Sequence, residues 1–166
     1  MVDFMAQSSG AKFDESGQYR YRLWRRWESG GLILAWVMLN PSTADAREDD
    51  PTVRSCVRIA RTLGYGGLDI VNLFGMCATD PRHLKGHPDP IGRENDQHIQ
   101  VVCDRAPAVV LAWGALPFAR ERAAVVIGRL SAAFGNRLFC LGKTKNGSPK
   151  HPLYIASAQP LVPFLS

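Results

Sequence analysis

Leu32-Ile33-Leu34-Ala35-Trp36-Val37-Met38-Leu39 runs directly into Asn40-Pro41-Ser42-Thr43. Unbroken apolar character over strand length suits a strand covered on both faces, the usual state of a parallel strand inside an α/β domain. Upstream, Tyr19-Arg20-Tyr21-Arg22-Leu23 alternates apolar and basic residues, the period of a half-buried strand. Glu28-Ser29-Gly30-Gly31 between the two runs supplies turn chemistry, so an N-terminal β-hairpin is expected. Downstream, Asp50-Pro51 reads as a helix cap followed by proline at the first helical position. Val53, Cys56, Val57, Ala60 and Leu63 then recur at helical spacing up to a stop at Gly64, with Arg54, Arg58 and Arg61 on the outward face. Leu68 to Phe74, Ala108 to Trp113 and Arg137 to Leu141 are further expected strands. Helices are expected from Gly92 towards Cys103 and from Phe118 to Phe134. Strands alternating with helices predict a three-layer α/β/α sandwich around a mainly parallel central sheet. Residues 1–17 are expected to be a loose lead-in, and residues 18–166 a single domain.

The chain has 166 residues, 46% of them apolar and 21% charged, with a net charge of +5, which is globular composition. A modest positive excess is compatible with a polyanionic partner without requiring one. Cys56, Cys77, Cys103 and Cys140 are widely separated, so buried free thiols are expected rather than a metal site. Reduced thiols predict a cytoplasmic location, and Met1 to Gly10 lacks the order of a signal peptide. Leu32 to Leu39 is far too short to span a membrane, so no membrane partner is expected. Nothing calls for a metal or an organic cofactor.

Ligands of open parallel sheets bind beyond the carboxyl ends of the strands. That rule selects Asn40-Pro41-Ser42, Asn72-Leu73-Phe74, Trp113-Gly114 and the stretch from Gly142 through Tyr154. Each also has a purely structural explanation. Asn40 can cap a turn, Asn72 can satisfy backbone groups at a strand end, Trp113 can be core, and His151 can be a surface loop residue. Gly142-Lys143-Thr144 lacks the upstream glycine of a nucleotide phosphate loop, because Arg137 holds that position. Lys143, Lys145 and Lys150, with Ser148 among them, form either a mobile clamp for a phosphate backbone or a solvated charged loop.

Several of these segments belong to a larger pattern. Leu39-Asn40-Pro41-Ser42-Thr43-Ala44-Asp45, Asp50-Pro51-Thr52, Asn72-Leu73-Phe74, Thr79-Asp80-Pro81, Asp89-Pro90-Ile91-Gly92, Asn95-Asp96, Ala112-Trp113-Gly114 and Lys150-His151-Pro152-Leu153-Tyr154 are similar to a bacterial and phage family catalogued as a domain of unknown function. The order of the motifs resembles, more distantly, the uracil-DNA glycosylase superfamily. Those enzymes follow the first core strand with an Asp-Pro or Asn-Pro motif, then a strand ending in a base-reading Asn, a strand ending Trp-Gly, and a His-Pro loop.

The resemblance implies a DNA glycosylase that acts on a flipped base and a fold like that superfamily's. Asn40 falls where the attacking water is positioned, and Asp45 either assists it or caps a turn. Asn72 falls on the base-reading position, with Phe74 or Trp36 as candidates for stacking on the base. His151 falls where the departing base is stabilised, and Leu153 or Tyr154 where a side chain wedges into the stack. Ser42 stands where uracil-specific enzymes carry a bulky Tyr that excludes 5-substituents, which implies a modified pyrimidine, such as glucosylated 5-hydroxymethylcytosine in phage DNA. DNA contacts are expected from Lys143, Lys145, Lys150, Ser148, Leu153, Tyr154 and Arg54, by a monomer active in anti-phage defence. The rival expectations are an enzyme that cleaves or transfers bases of nucleosides or nucleotides, and a non-catalytic base-binding module.

Overall fold

The structure, a computed structural model, describes residues 9–165. Seven strands form one mixed sheet in the order β1-β2-β4-β3-β5-β6-β7, with three α-helices. In chain order these are β1 (Ser9–Phe13), β2 (Arg20–Arg26), β3 (Ile33–Met38), α1 (Pro51–Thr62), β4 (Gly67–Asn72), α2 (Asn95–Arg105), β5 (Ala108–Leu111), α3 (Arg120–Phe134), β6 (Leu138–Cys140) and β7 (Val162–Pro163). The central strands β4, β3, β5 and β6 are parallel, while β2 and β1 at one side and β7 at the other run antiparallel. No helix among the described residues is long and apolar enough to cross a membrane.

The pleat of β3 explains the unbroken apolar run. Ala35, Val37 and Leu39 join the core that takes Ile99 and Val102 of α2 and Val126 and Leu130 of α3. Leu34, Trp36 and Met38 join the opposite core, with Val53, Cys56, Ile59 and Ala60 of α1. Because successive side chains point to opposite faces, a strand packed on both sides has no polar position to spare. Asp50 caps α1 as the sequence predicts, accepting from the Val53 N–H at 2.8 Å, with Pro51 opening the helix.

The expected hairpin between residues 19–23 and 32–39 does not form. β4 lies between those strands and pairs with both, antiparallel to β2 and parallel to β3. The doubly covered β3 needs a partner on each edge, and the parallel strands β4 and β5 supply them. The actual hairpin joins β1 to β2 through Asp14–Gly17, where Gly17 adopts φ +74° and the Asp14 N–H donates to the Tyr19 carbonyl. Ser9–Phe13 is therefore a strand and not part of a loose lead-in. Residues 1–8 of that expected lead-in lie outside the described residues. β7 carries too few residues to show a period.

The glycine pairs serve a different purpose from a hairpin turn. A Cβ on Gly31 would stand 2.6 Å from the Cα of Gly66, and a Cβ on Gly66 equally close to that of Gly31. The β2–β3 connection thus crosses the entry to β4 with backbone against backbone. We predict that Gly66→Ala lowers unfolding stability by about 1–3 kcal/mol, the usual range for overpacking. Chemical denaturation against wild type reads this; an unchanged midpoint would show that the crossing yields easily.

Candidate functional site

All four parallel strands end on the same side, and the loops that leave them are tied to one another. Beyond β3 and β4 the ladder continues, with Leu73 N–H donating to Met38 and Phe74 N–H to Leu39. The Ala78 N–H donates to the Pro41 carbonyl, and the Asn40 side-chain Nδ2 returns bonds to Pro41 at 2.9 Å and Ala78 at 2.8 Å. Beyond β5, Gly114 adopts φ +80°, which favours glycine, and its N–H donates to the Pro149 carbonyl. That bond holds the His151 loop against the end of β5.

These loops enclose a cavity of about 400 Å³. Asn40, Ser42, Asn72, His151 and Leu153 all line it, although they come from distant parts of the chain. A volume of this size is typical of small-molecule and base pockets. The walls also carry Trp113 and Gly114, which the strand-end rule selects, and Arg20, Asp50, Thr79 and Leu116, to which the sequence reading gave no role in the site.

Asn72 is 1% exposed, yet neither its Nδ2 nor its Oδ1 has a hydrogen-bond partner among the described residues. Leaving a buried polar group unpaired costs about 1–3 kcal/mol, so such groups are rare in native interiors. The structural alternative, in which this side chain satisfies backbone groups at the strand end, does not hold. The backbone carbonyls of Asn72 and Leu73 are instead held by the side-chain Nδ2 of Asn95, at 2.9 and 3.1 Å. The Arg122 Nε donates to Leu73 at 2.9 Å, and Arg122 is itself paired with Asp96. Asn95, Asp96 and Arg122 thus fix the backbone under Asn72, a cavity-lining residue whose buried amide has no partner among the described residues.

Asn40 is oriented in the complementary way. Its Nδ2 is bound twice, and nothing among the described residues donates to its Oδ1. His151 is half-buried, and its Nδ1 accepts from the Leu153 N–H at 3.2 Å. The neutral ring therefore carries its proton on Nε2. Burial lowers the His151 pKa from its ordinary value, opposed by the charge of Asp50. Arg20 is 3% exposed, and burial likewise lowers its guanidinium pKa, with Asp50 opposing.

Other expectations are corrected. Trp36 is fully buried beneath α1 and off the cavity wall, and Phe74 packs in the core on the opposite face, against Phe118 at 5.8 Å. The aromatic side chain on the wall besides His151 is Trp113. The pleat sends Phe74 to the opposite face, whereas Trp36 shares the face of the cavity-lining Met38 and Ile70 but lies two residues further from the strand end than Met38, under α1. Asp45 is exposed, lies off the cavity wall, and accepts from the backbone N–H groups of Arg47 and Glu48, so it caps a turn. Its lowered pKa has the same cause, the Glu48 and then the Arg47 N–H.

The basic segment is not an open loop. It is a closed hairpin in which Thr144 N–H donates to Ser148, Gly147 N–H to Thr144, and Lys150 N–H to Gly142. Lys143, Lys145 and Lys150 are exposed, Lys143 lying over the Phe164 ring at 4.6 Å, and Ser148 is half-buried. Arg54 is exposed on α1, beside the cavity-lining Thr52 and Val53, and donates to the Asp49 carbonyl. Tyr154 is fully exposed with φ +68°, a left-handed conformation that costs a bulky residue roughly 1–3 kcal/mol. Among the described residues, no group of three or more His, Cys, Asp or Glu is placed to hold a metal ion.

The lowered His151 pKa has a stability consequence. The folded state binds its proton less readily than the unfolded state, whose imidazole titrates near about 6.5. Stability is complete above that pH and declines as pH falls towards the folded pKa. His98, stacked on Tyr21 at 5.3 Å, is lowered too, again by burial first, and adds to the decline. Thermal unfolding between pH 5 and pH 7.5 should therefore show a falling midpoint on the acid side, and His151→Gln should flatten it. An unaltered slope in that variant would assign the effect elsewhere.

Among curated proteins and among solved structures, none gives a significant match to this chain. The model of one protein family does match, across residues 20–153, a span that includes Arg20, Asn40, Asn72, Asn95, Arg122 and His151. The chain belongs to the family described as protein of unknown function (DUF1643).

Proposed function

We propose that this protein is a DNA glycosylase that hydrolyses the N-glycosidic bond of a flipped, 5-modified pyrimidine and leaves an abasic site. Glucosylated 5-hydroxymethylcytosine in phage DNA is the example we favour, with anti-phage defence as the setting. The observation that carries this reading is the buried, unpartnered amide of Asn72 on a 400 Å³ cavity shared with Asn40 and His151. An amide presents one donor and one acceptor side by side, which complements the hydrogen-bonding edge of a pyrimidine. The α1 layer on one face of the sheet and the α2–α3 layer on the other are also compatible with the glycosylase superfamily's three-layer fold.

The chemistry follows from the groups present. The free Oδ1 of Asn40 accepts from a water and holds it for attack at C1′ of the sugar. The neutral His151 offers an Nε2–H to the departing base, and a donor aimed at developing charge is worth about 2.7–4 kcal/mol in comparable sites. The water oxygen bonds to C1′, the C1′–N1 electron pair goes to the base, and the water's proton ends on the base by way of solvent. Ser42, a small half-exposed side chain on the cavity wall, leaves space for a 5-substituent. Leu153 lines the cavity and Tyr154 stands beside it in solvent, so either side chain is available to fill the gap left by a flipped base. Lys143, Lys145, Lys150 and Arg54 are exposed cations available to phosphates. We take the protein to act as a cytoplasmic monomer without a cofactor.

Purified protein should produce abasic sites in a duplex carrying 5-hydroxymethylcytosine or its glucosylated form. Asn72→Ala should lower kcat/KM about 10–100-fold, the equivalent of losing roughly 1–3 kcal/mol of base recognition. His151→Ala should lower kcat by about 10²–10³-fold. Duplex binding should weaken steeply with salt. No abasic product from uracil or either modified cytosine, where a control glycosylase works, would remove the proposal. Cleavage of nucleosides with duplexes left intact would replace it with a nucleotide-level enzyme.

A further inference from the structure

Three arginines of the described structure are buried, and two of them have a carboxylate partner. Arg25 pairs with Asp49 at 2.9 Å, and Arg122 pairs with Asp96. Arg20 makes no salt bridge among the described residues. Its Nη1 donates to the Ala44 carbonyl at 2.8 Å, while its buried Nε has no partner among the described residues. Burying an uncompensated ion carries an effective penalty of several kcal/mol.

The position of Arg20 comes from an irregularity in β2. Lys12 pairs with Arg22 and Phe13 with Arg20, which leaves Tyr21 as an extra residue. Tyr21 stacks on His98 of α2, whereas Arg20 turns to the cavity, where Asn72 of the neighbouring β4 also lies. A bulge of this kind re-aims a side chain, and such features concentrate beside active sites. Asp50 lines the same cavity at 8% exposure, with its Oδ1 bound to the Val53 N–H.

We propose that Arg20 and Asn72 form a subsite for an anionic pyrimidine ring, in which the Arg20 guanidinium binds the ring carbonyl beside the glycosidic nitrogen. A guanidinium only donates, so the ring atom that it meets must be an acceptor. Pyrimidines have a carbonyl next to that nitrogen and purines do not, which assigns the ring class. As the C1′–N1 bond breaks, its electron pair passes to the ring and delocalises onto that carbonyl oxygen. The fixed cation stabilises the charge where it develops, and the released anion takes a proton from solvent. Asp50, of opposite sign, weakens anion binding and lets the product leave. The subsite depends on the glycosylase reading only for the bond that is cut.

The test uses 5-nitrouracil, a free ring that ionises at accessible pH and whose absorbance reports its charge. Wild-type protein should bind the anion preferentially and lower the ring's pKa on binding by at least about one unit, a tenfold preference for the charged form. Arg20→Gln should abolish that preference and Arg20→Lys should keep part of it. Asp50→Asn should tighten anion binding several-fold, and it retains the helix cap because Asn caps as well as Asp. If Arg20→Gln does not fold, the wild-type shift and the Asp50→Asn variant still decide the matter. No saturable binding, a bound ring that titrates like the free one, or Asp50→Asn failing to tighten binding would overturn the proposal. Displacement of the ring by inorganic phosphate at comparable concentration would also overturn it, assigning Arg20 to a phosphate. Anion binding by a protein that excises no base from any duplex would leave the subsite standing and remove the glycosylase reading.

Discussion

The parallel ladder that β3 makes with β4 on one edge and β5 on the other is the constraint on which the rest of this structure depends. It places Asn40, Asn72 and Trp113 at one end of the sheet, three positions separated by long stretches of chain. Parallel strands need crossovers, made here by helices on the two faces of the sheet, so the loops that leave the parallel strands all gather at one end. The cavity is therefore a product of connectivity. Its lining is set by where each strand stops, and its depth by the loops tied together through Ala78–Pro41 and Gly114–Pro149.

Rigid support and an unsatisfied surface are combined at the end of β4. The carbonyls of Asn72 and Leu73 receive bonds from Asn95 and Arg122, so the backbone has little freedom. The Asn72 amide, by contrast, has no partner among the described residues. A polar group left unpaired in an immobile setting has little conformational entropy left to lose if a partner reaches it. Arg20 shares that property through a different device, the bulge of β2. The two residues give the cavity floor a fixed pattern of donors and an acceptor, beside a carboxylate held by the first turn of α1.

Much of the architecture was legible in the chain. The two-sided apolar run of β3, the Asp50-Pro51 start of α1 and the strand-end asparagines are local signals, and each corresponds to an element observed in place. The placement of Asn40, Ser42, Asn72 and His151 on one cavity also agrees with the expectation that strand-end loops converge. The pairing of β2 was misjudged because a turn-like sequence between two strands says nothing about a third strand inserted between them. Asn95 and Arg122 stood in plain view, but their importance lies in two backbone carbonyls that they reach across 22 and 49 positions of chain.

By itself, the sequence determined the strands from β2 to β6, the three α-helices, their order and the identity of the polar residues at the strand ends, since periodicity, caps and turn chemistry act over a few neighbouring residues. Only the tertiary structure decided which residues line the cavity, that Trp113 lines it while Trp36 and Phe74 do not, and that Arg20 is buried there with no salt bridge among the described residues. Those outcomes depend on pleat phase, a one-residue bulge and contacts between distant segments, and no local pattern of residues encodes them.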